Sequence, residues 1–229
     1  MKNFFIAALS VLFFVQISFA QNNADEFNST FFFQLELGYS LHSLELQDED
    51  SPNINASFDG YGTHDFIKLG VSIKKLVAVY GFSQVSVYSG TWEFCRTDNC
   101  SSFDNENLFF DVILGLGTDV FPFRSFDNGL KGLFVGANVG AGLVQNTEKI
   151  TEDGRLTSKE ICIDELALVT RIELGNVWRF GQSAWNFGFE FFVSFSNALG
   201  GYSTIVHDDD DAVLSNSLTL GLSFSVIRR

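Results

Sequence analysis

One stretch constrains this chain more than any other: Trp185 to Asn197, WNFGFEFFVSFSN, which alternates between two kinds of side chain almost without interruption. Trp185, Phe187, Phe189, Phe191, Val193 and Phe195 share one parity, and Asn186, Gly188, Glu190, Phe192, Ser194 and Ser196 share the other. A period of two places these sets on opposite faces of an extended strand. The apolar row is long enough to cross the hydrocarbon of a bilayer, which takes a tilted strand of about 9–11 residues. Whether this is one unusual strand or the repeating unit of the fold depends on whether the pattern recurs.

It recurs along the whole chain. Phe31, Phe33, Leu35, Leu37, Tyr39 and Leu41 oppose Gln34, Glu36, Gly38, Ser40 and His42. Further strands are predicted over 64–74, 76–91, 108–121, 132–144, 164–180 and 214–226, each with an apolar row facing a row rich in Gly, Ser, Thr and Asn. In the third, Gly81 and Ser83 interrupt the parity of Val77, Val79, Val85 and Val87, which suggests a β-bulge near Gly81. Polar segments 43–63, 92–107, 145–162 and 197–212 read as long loops, alternating with shorter connections at 75, 122–131 and 181–183. Eight strands with long connections at one end and both termini at the other describe an all-β, eight-stranded antiparallel up-and-down transmembrane β-barrel. The apolar rows carry Phe, Leu and Trp in more volume than the interior of so small a ring accepts, so they are expected to face lipid. Trp178, Phe180 and Trp185 gather at one turn, where amphipathic rings suit the membrane interface.

The first twenty residues have a separate purpose. Lys2, an apolar run from Phe4 to Val15, and Ser18-Phe19-Ala20 form the three parts of a cleavable secretory signal, so the barrel is expected to occupy residues 21–229. The 28 acidic residues outnumber the 14 basic ones, and loss of Lys2 with the leader takes the net charge from −14 to about −15. Such a balance argues against nucleic acid, whose phosphates demand the opposite sign.

The stretches LGLGTDVFPF (114–123), GLFVGANVGAGL (132–143) and SLTLGLSFSV (217–226) resemble the outer-membrane β-barrel domain family, which includes the small OmpA/OmpX-type eight-stranded barrels. The resemblance spans the mature chain and is one of architecture. It implies residence in the bacterial outer membrane, contact with outer-membrane lipid, insertion by the barrel-assembly machinery and a monomeric state. Chains of this family usually finish on an aromatic residue; this one ends Val226-Ile227-Arg228-Arg229, and Phe224 is expected to stand in.

Few residues carry chemistry. Cys95 and Cys100 in CRTDNC are expected to form a local disulfide in an oxidising compartment, with Cys162 left over to stay free or to pair with either of them. Zinc is a poor fit, because no second Cys or His pair stands at ligand spacing. The inward rows contain Glu36, Lys68, Asp111, Asp119, Arg171, Glu173 and Glu190, a set expected to form a charge network that plugs the lumen, with Glu190 opposite Glu173 or Gly175. Asp208, Asp209, Asp210 and Asp211, with the ELQDED run at 45–50, suggest solvated loops that could gather cations weakly, although no EF-hand spacing is present.

Three function classes follow. A non-enzymatic barrel with acidic external loops, serving envelope support or surface contact and adhesion, needs no cofactor or metal and uses the loops as its working surface. A small-solute pore requires an open lumen. A lipid-modifying enzyme requires His and Ser together at the outer rim; of His42, His64 and His207, only His42 has an adjacent serine, Ser43, and neighbours on a strand point to opposite faces.

Overall fold

The computed structural model describes residues 29–47, 54–74, 76–96, 99–104, 107–123, 129–152, 155–179, 184–204 and 214–228. The strands are β1 (Ser29–Gln47), β2 (Ile54–Ile73), β3 (Val77–Arg96), β4 (Asn99–Asp104), β5 (Phe109–Val120), β6 (Leu133–Glu152), β7 (Arg155–Arg179), β8 (Trp185–Thr204) and β9 (Leu214–Arg228), with one 3-10 turn at Gly129–Gly132. Every pairing is antiparallel. β1 pairs with β2 on one side and with β9 on the other, from Phe33↔Arg228 to Gln47↔Leu214, so eight strands close into a ring and β4 stands outside it on the upper part of β3. The first and last strands meet with the start of β1 beside the end of β9, which puts both at the end of the short turns.

Side chains divide by parity as a two-residue period requires. Along β8, Trp185, Phe187, Phe191 and Phe195 are exposed on the outer wall while Asn186, Glu190, Phe192 and Ser194 are buried. The same wall carries Leu37, Leu41, Leu114, Leu116, Val139, Ile172, Leu220 and Phe224, the last 71% exposed. Trp178 and Trp185 lie at the short-turn end, and the Arg228 guanidinium sits 5.5 Å from the Trp185 ring, a pairing suited to a lipid headgroup boundary. Among the described residues Asp65 puts a carboxylate on this belt, in register with Leu37 of β1 and Val85 of β3.

Three expectations are corrected. The segments read as long loops are mostly strand: β1 and β2 stay paired as far as Gln47↔Asn55, and only two residues, Asp153 and Gly154, separate β6 from β7. Polar sequence misled because these strand ends stand in water on their outer face. The bulge near Gly81 is absent, since β3 holds continuous register with both β2 and β5; the irregularities fall instead between Lys149 and Thr151 and between Leu166 and Ala167. Finally, the lumen is more than small and charged residues. Its lower part packs Phe32, Phe66, Tyr80, Phe82, Ile113 and Phe134, and its upper part Leu44, Leu46, Phe58, Trp92, Phe94 and Ile163.

Inward glycines make room for these rings. A methyl group added at Gly221 would lie 2.3 Å from Phe192 Cζ, and one at Gly175 would lie 2.5 Å from Phe134 Cε1. Each ring therefore covers a glycine on a neighbouring part of the wall, and two inner residues too small to fill a barrel alone do so in pairs. At about 3.3 Å per residue and a tilt near 40°, strands of this length rise about 50 Å, roughly twice the ~25 Å apolar band of such barrels. The upper hairpins thus continue beyond the membrane as a packed turret.

Two substitutions test this reading by urea unfolding in lipid vesicles. Gly221→Ala displaces the Phe192 ring and is expected to destabilise the barrel by about 1–3 kcal/mol. Asp65→Val removes a carboxylate from the lipid-facing wall and is expected to stabilise it by about 1 kcal/mol.

Candidate functional site

The most concentrated chemistry in the molecule is a charged layer across the lumen. Parity on five strands aims Glu36 (β1), Lys68 (β2), Asp119 (β5), Arg171 and Glu173 (β7), and Glu190 (β8) inward, and all six are buried. Lys68 Nζ lies 3.0 Å from Glu36 Oε1, 2.5 Å from Glu173 Oε1, 3.3 Å from Glu190 Oε2 and 3.9 Å from Asp119 Oδ2. Arg171 donates from Nη2 to Glu36 Oε2 and from Nε to Glu173 Oε2, each at 3.1 Å. Its guanidinium lies 4.2 Å from the centre of the Phe66 ring and 3.9 Å from that of Phe192, within cation–π range of both.

Neutral groups complete the layer. Gln34 Nε2 donates to Glu36 Oε1 at 3.0 Å and to Glu190 Oε1 at 2.6 Å. The Tyr80 hydroxyl lies 2.6 Å from Asp119 Oδ1 and 3.0 Å from Glu173 Oε1. Glu36 and Arg171 belong to strands that are not neighbours in the ring, so their contact spans the bore. A layer of this kind does two physical jobs: it binds opposite walls together, and it fills the cross-section with groups already committed to one another.

Of the seven charges expected inward from sequence, Asp111 stands apart from the layer. It lies higher in the lumen, where its Oδ2 accepts from the Tyr88 hydroxyl at 3.4 Å, and among the described residues it meets no Lys or Arg. Glu190 is opposite Gly175, and Glu173 is opposite Phe192. Sequence parity puts Gln34 and Phe192 in inward rows without assigning them to this layer, and it leaves Tyr80 unassigned. Continuing the parity of Val77 and Val79 along β3 points Tyr80 inward and could have found it.

At the rim, Cys95 and Cys100 face each other across the β3–β4 pair and are joined in a disulfide. The Glu93 carboxylate lies close by, but with both sulfurs bonded to each other one carboxylate remains as a metal ligand. Cys162 on β7 is a free thiol, 3.6 Å from Thr147 Oγ1. His42 is buried and Ser43 faces the other side of β1; His42 Nδ1 is instead 2.9 Å from Thr219 Oγ1. Residues 1–20, expected to be a leader, His207, and Asp208 to Asp211 lie outside the described residues.

A closed, even-numbered antiparallel ring with apolar side chains on its outer wall and a filled, charged lumen is the architecture of transmembrane β-barrels, and this chain has that fold. No protein-family model matches the sequence, and no curated protein matches it. Solved structures with a similar course of chain include the outer membrane protease OmpT of Escherichia coli, at 7% identity and a TM-score of 0.43, covering 86% of this chain and 96% of that one. Neisserial surface protein A aligns at 10% identity and a TM-score of 0.40, covering 85% and 97%. Ail, the attachment invasion locus protein of Yersinia pestis, solved in complex with the heparin analogue sucrose octasulfate, aligns at 11% and 0.38, covering 85% and 98%. These are likenesses of shape at low scores and decide nothing about the chemistry of this chain.

Removing one cation from a buried network strands its carboxylates. Lys68→Met is expected to destabilise the folded barrel by about 3–5 kcal/mol, and Lys68→Met with Glu190→Gln to recover part of that loss, as read by urea unfolding of the single and double variants.

Proposed function

We propose that the protein is a monomeric, non-enzymatic outer-membrane barrel with a blocked lumen, placed in the membrane by the barrel-assembly machinery, whose part above the bilayer makes surface contacts in envelope support or adhesion. The observation that carries this reading is the turret. Strand pairing continues past the apolar belt on both sides of the ring, and a core of Leu44, Leu46, Phe58, Trp92, Phe94, Phe109, Ile161 and Ile163 fills it. A chain that needed only to sit in lipid has no use for so much ordered structure in water, whereas a rigid support for recognition does.

The surface of the turret has a definite character. Glu45, Asp59, Glu93, Asp104 and Asp164 are exposed on it, favouring cationic or cation-bridged partners. Among the described residues β4 is laddered to β3 and β6 beyond Gln145 to β7, and Asn107 Nδ2 donates to the Thr147 carbonyl at 2.7 Å on the β6 side of the gap between them. A pore would place its determinants along an open bore, and here two apolar clusters and the charged layer occupy it.

The test separates contact from transport. Residues 44–58 replaced by an Asn-Gly turn, joining Ser43 to its partner Asp59, leave the charged layer intact. Cells carrying this variant are expected to lose binding to host surfaces or neighbouring cells with small-solute uptake unchanged, and the purified parent protein to give no steady conductance in planar bilayers. Unchanged binding with reduced uptake would replace the contact reading with a pore.

A further inference from the structure

Between the charged layer and the upper apolar core lies a polar compartment. Side chains of His42, Gln84, Asp111, Ser194, Ser217 and Thr219 line a small cavity there, bounded by Ile113 and Val169 of the lower cluster and by Phe109 and Val144 of the upper one. It has room for about one water-sized occupant. Two polar atoms of its lining residues have no hydrogen-bond partner: Asp111 Oδ1 and His42 Nε2. Both residues are more than nine-tenths buried, at 6% and 5% exposure.

Their orientations are fixed from behind. The His42 ring stacks on Tyr88 with centroids 4.4 Å apart, and its Nδ1 is held by Thr219 Oγ1. With Nδ1–H donating to Thr219, Nε2 presents a lone pair. Asp111 Oδ2 accepts from the Tyr88 hydroxyl, Ser86 and Gln84 also stand beside the carboxylate, and Oδ1 has no hydrogen-bond partner. A carboxylate held away from water without a counter-charge is costly, and the buried Lys68 and Arg171 are committed to the layer below.

We propose that this cavity binds a small monovalent cation of the sodium class, with Asp111 as its charged ligand and serine and threonine hydroxyl oxygens as neutral ones. The donor set selects the ion. One carboxylate balances one positive charge, and hydroxyl oxygens are hard ligands. Calcium takes six to eight oxygens and magnesium keeps several waters, for which the cavity lacks both the carboxylates and the room. A single imidazole without thiolates does not make a transition-metal site. The bound ion gives Asp111 the counter-charge that Lys68 and Arg171, held in the layer below, do not supply.

The experiment refolds the full chain into lipid vesicles in sodium chloride or in choline chloride at equal ionic strength and reads the urea midpoint. The expected result is a higher, saturable midpoint in sodium, with the sodium-over-choline difference lost in Asp111→Asn and kept in the outer-wall control Asp65→Asn. Crystals grown with thallium(I) are expected to show an anomalous peak within bonding distance of Asp111 Oδ1. Equal midpoints in the two salts, or a thallium-soaked site holding only water, would overturn the proposal. So would an Asp111→Asn variant as stable as the parent in both salts, which would mean that the carboxyl carries a proton in place of an ion. If Asp111→Asn does not fold, the salt comparison on the parent and the thallium peak decide the matter between them.

Discussion

In hydrocarbon a backbone N–H or C=O has no water to turn to, and each one left unpaired costs several kcal/mol. The ladder between β1 and β9 is what meets this condition here, because without it the eight-stranded sheet would present two raw edges to lipid. Fifteen residue pairs, from Phe33↔Arg228 to Gln47↔Leu214, bring the beginning and end of the described chain together. Everything else about the molecule follows from that closure. A closed ring of eight has an inside too narrow for solvent to occupy freely, so the inward parity must supply its own partners.

The interior meets this demand in layers. Phe134 over Gly175 and Phe192 over Gly221 show the apolar solution, in which a ring from one residue takes the space that a glycine vacates. Lys68 and Arg171 among Glu36, Asp119, Glu173 and Glu190 show the ionic one. The two solutions touch at Phe66 and Phe192, which flank the Arg171 guanidinium and shield it from the rest of the bore. The charged layer is therefore built into the packing, and its specificity comes from geometry that a hydrophobic replacement would not reproduce.

Period-two alternation made the ring legible from sequence, because a strand with lipid on one face and packed lumen on the other writes its environment into every second residue. It also pointed inward each member of the ionic layer, since a charge in a row opposite Phe and Leu has only one direction to face. What alternation does not encode is distance across the bore: that Glu36 meets Arg171 depends on ring closure and stagger, which no single strand records. The turret was hidden for a different reason. Once β1 passes Leu41, its outer face is Ser43 and Glu45, and without the apolar contrast a strand reads as a loop. The inner parity, Leu44 and Leu46 opposite, and the Asp153-Gly154 pair between β6 and β7 carried the signal of continued hairpins.

The same physics explains why recognition is expected above the membrane. Within the belt, the outer parity is committed to lipid and the inner parity to filling the bore, which leaves no side chain free to vary with a partner. Above the belt the inner parity still packs, through Phe58, Trp92 and Ile163, but the outer parity meets water and is released from both obligations. There the sequence turns acidic, the ring splits so that β3 exchanges β5 for β4, and the Cys95–Cys100 disulfide pins the short added strand in place. Rigidity of that kind lowers the ordering cost of binding, since the contact surface is already held in one conformation before a partner arrives.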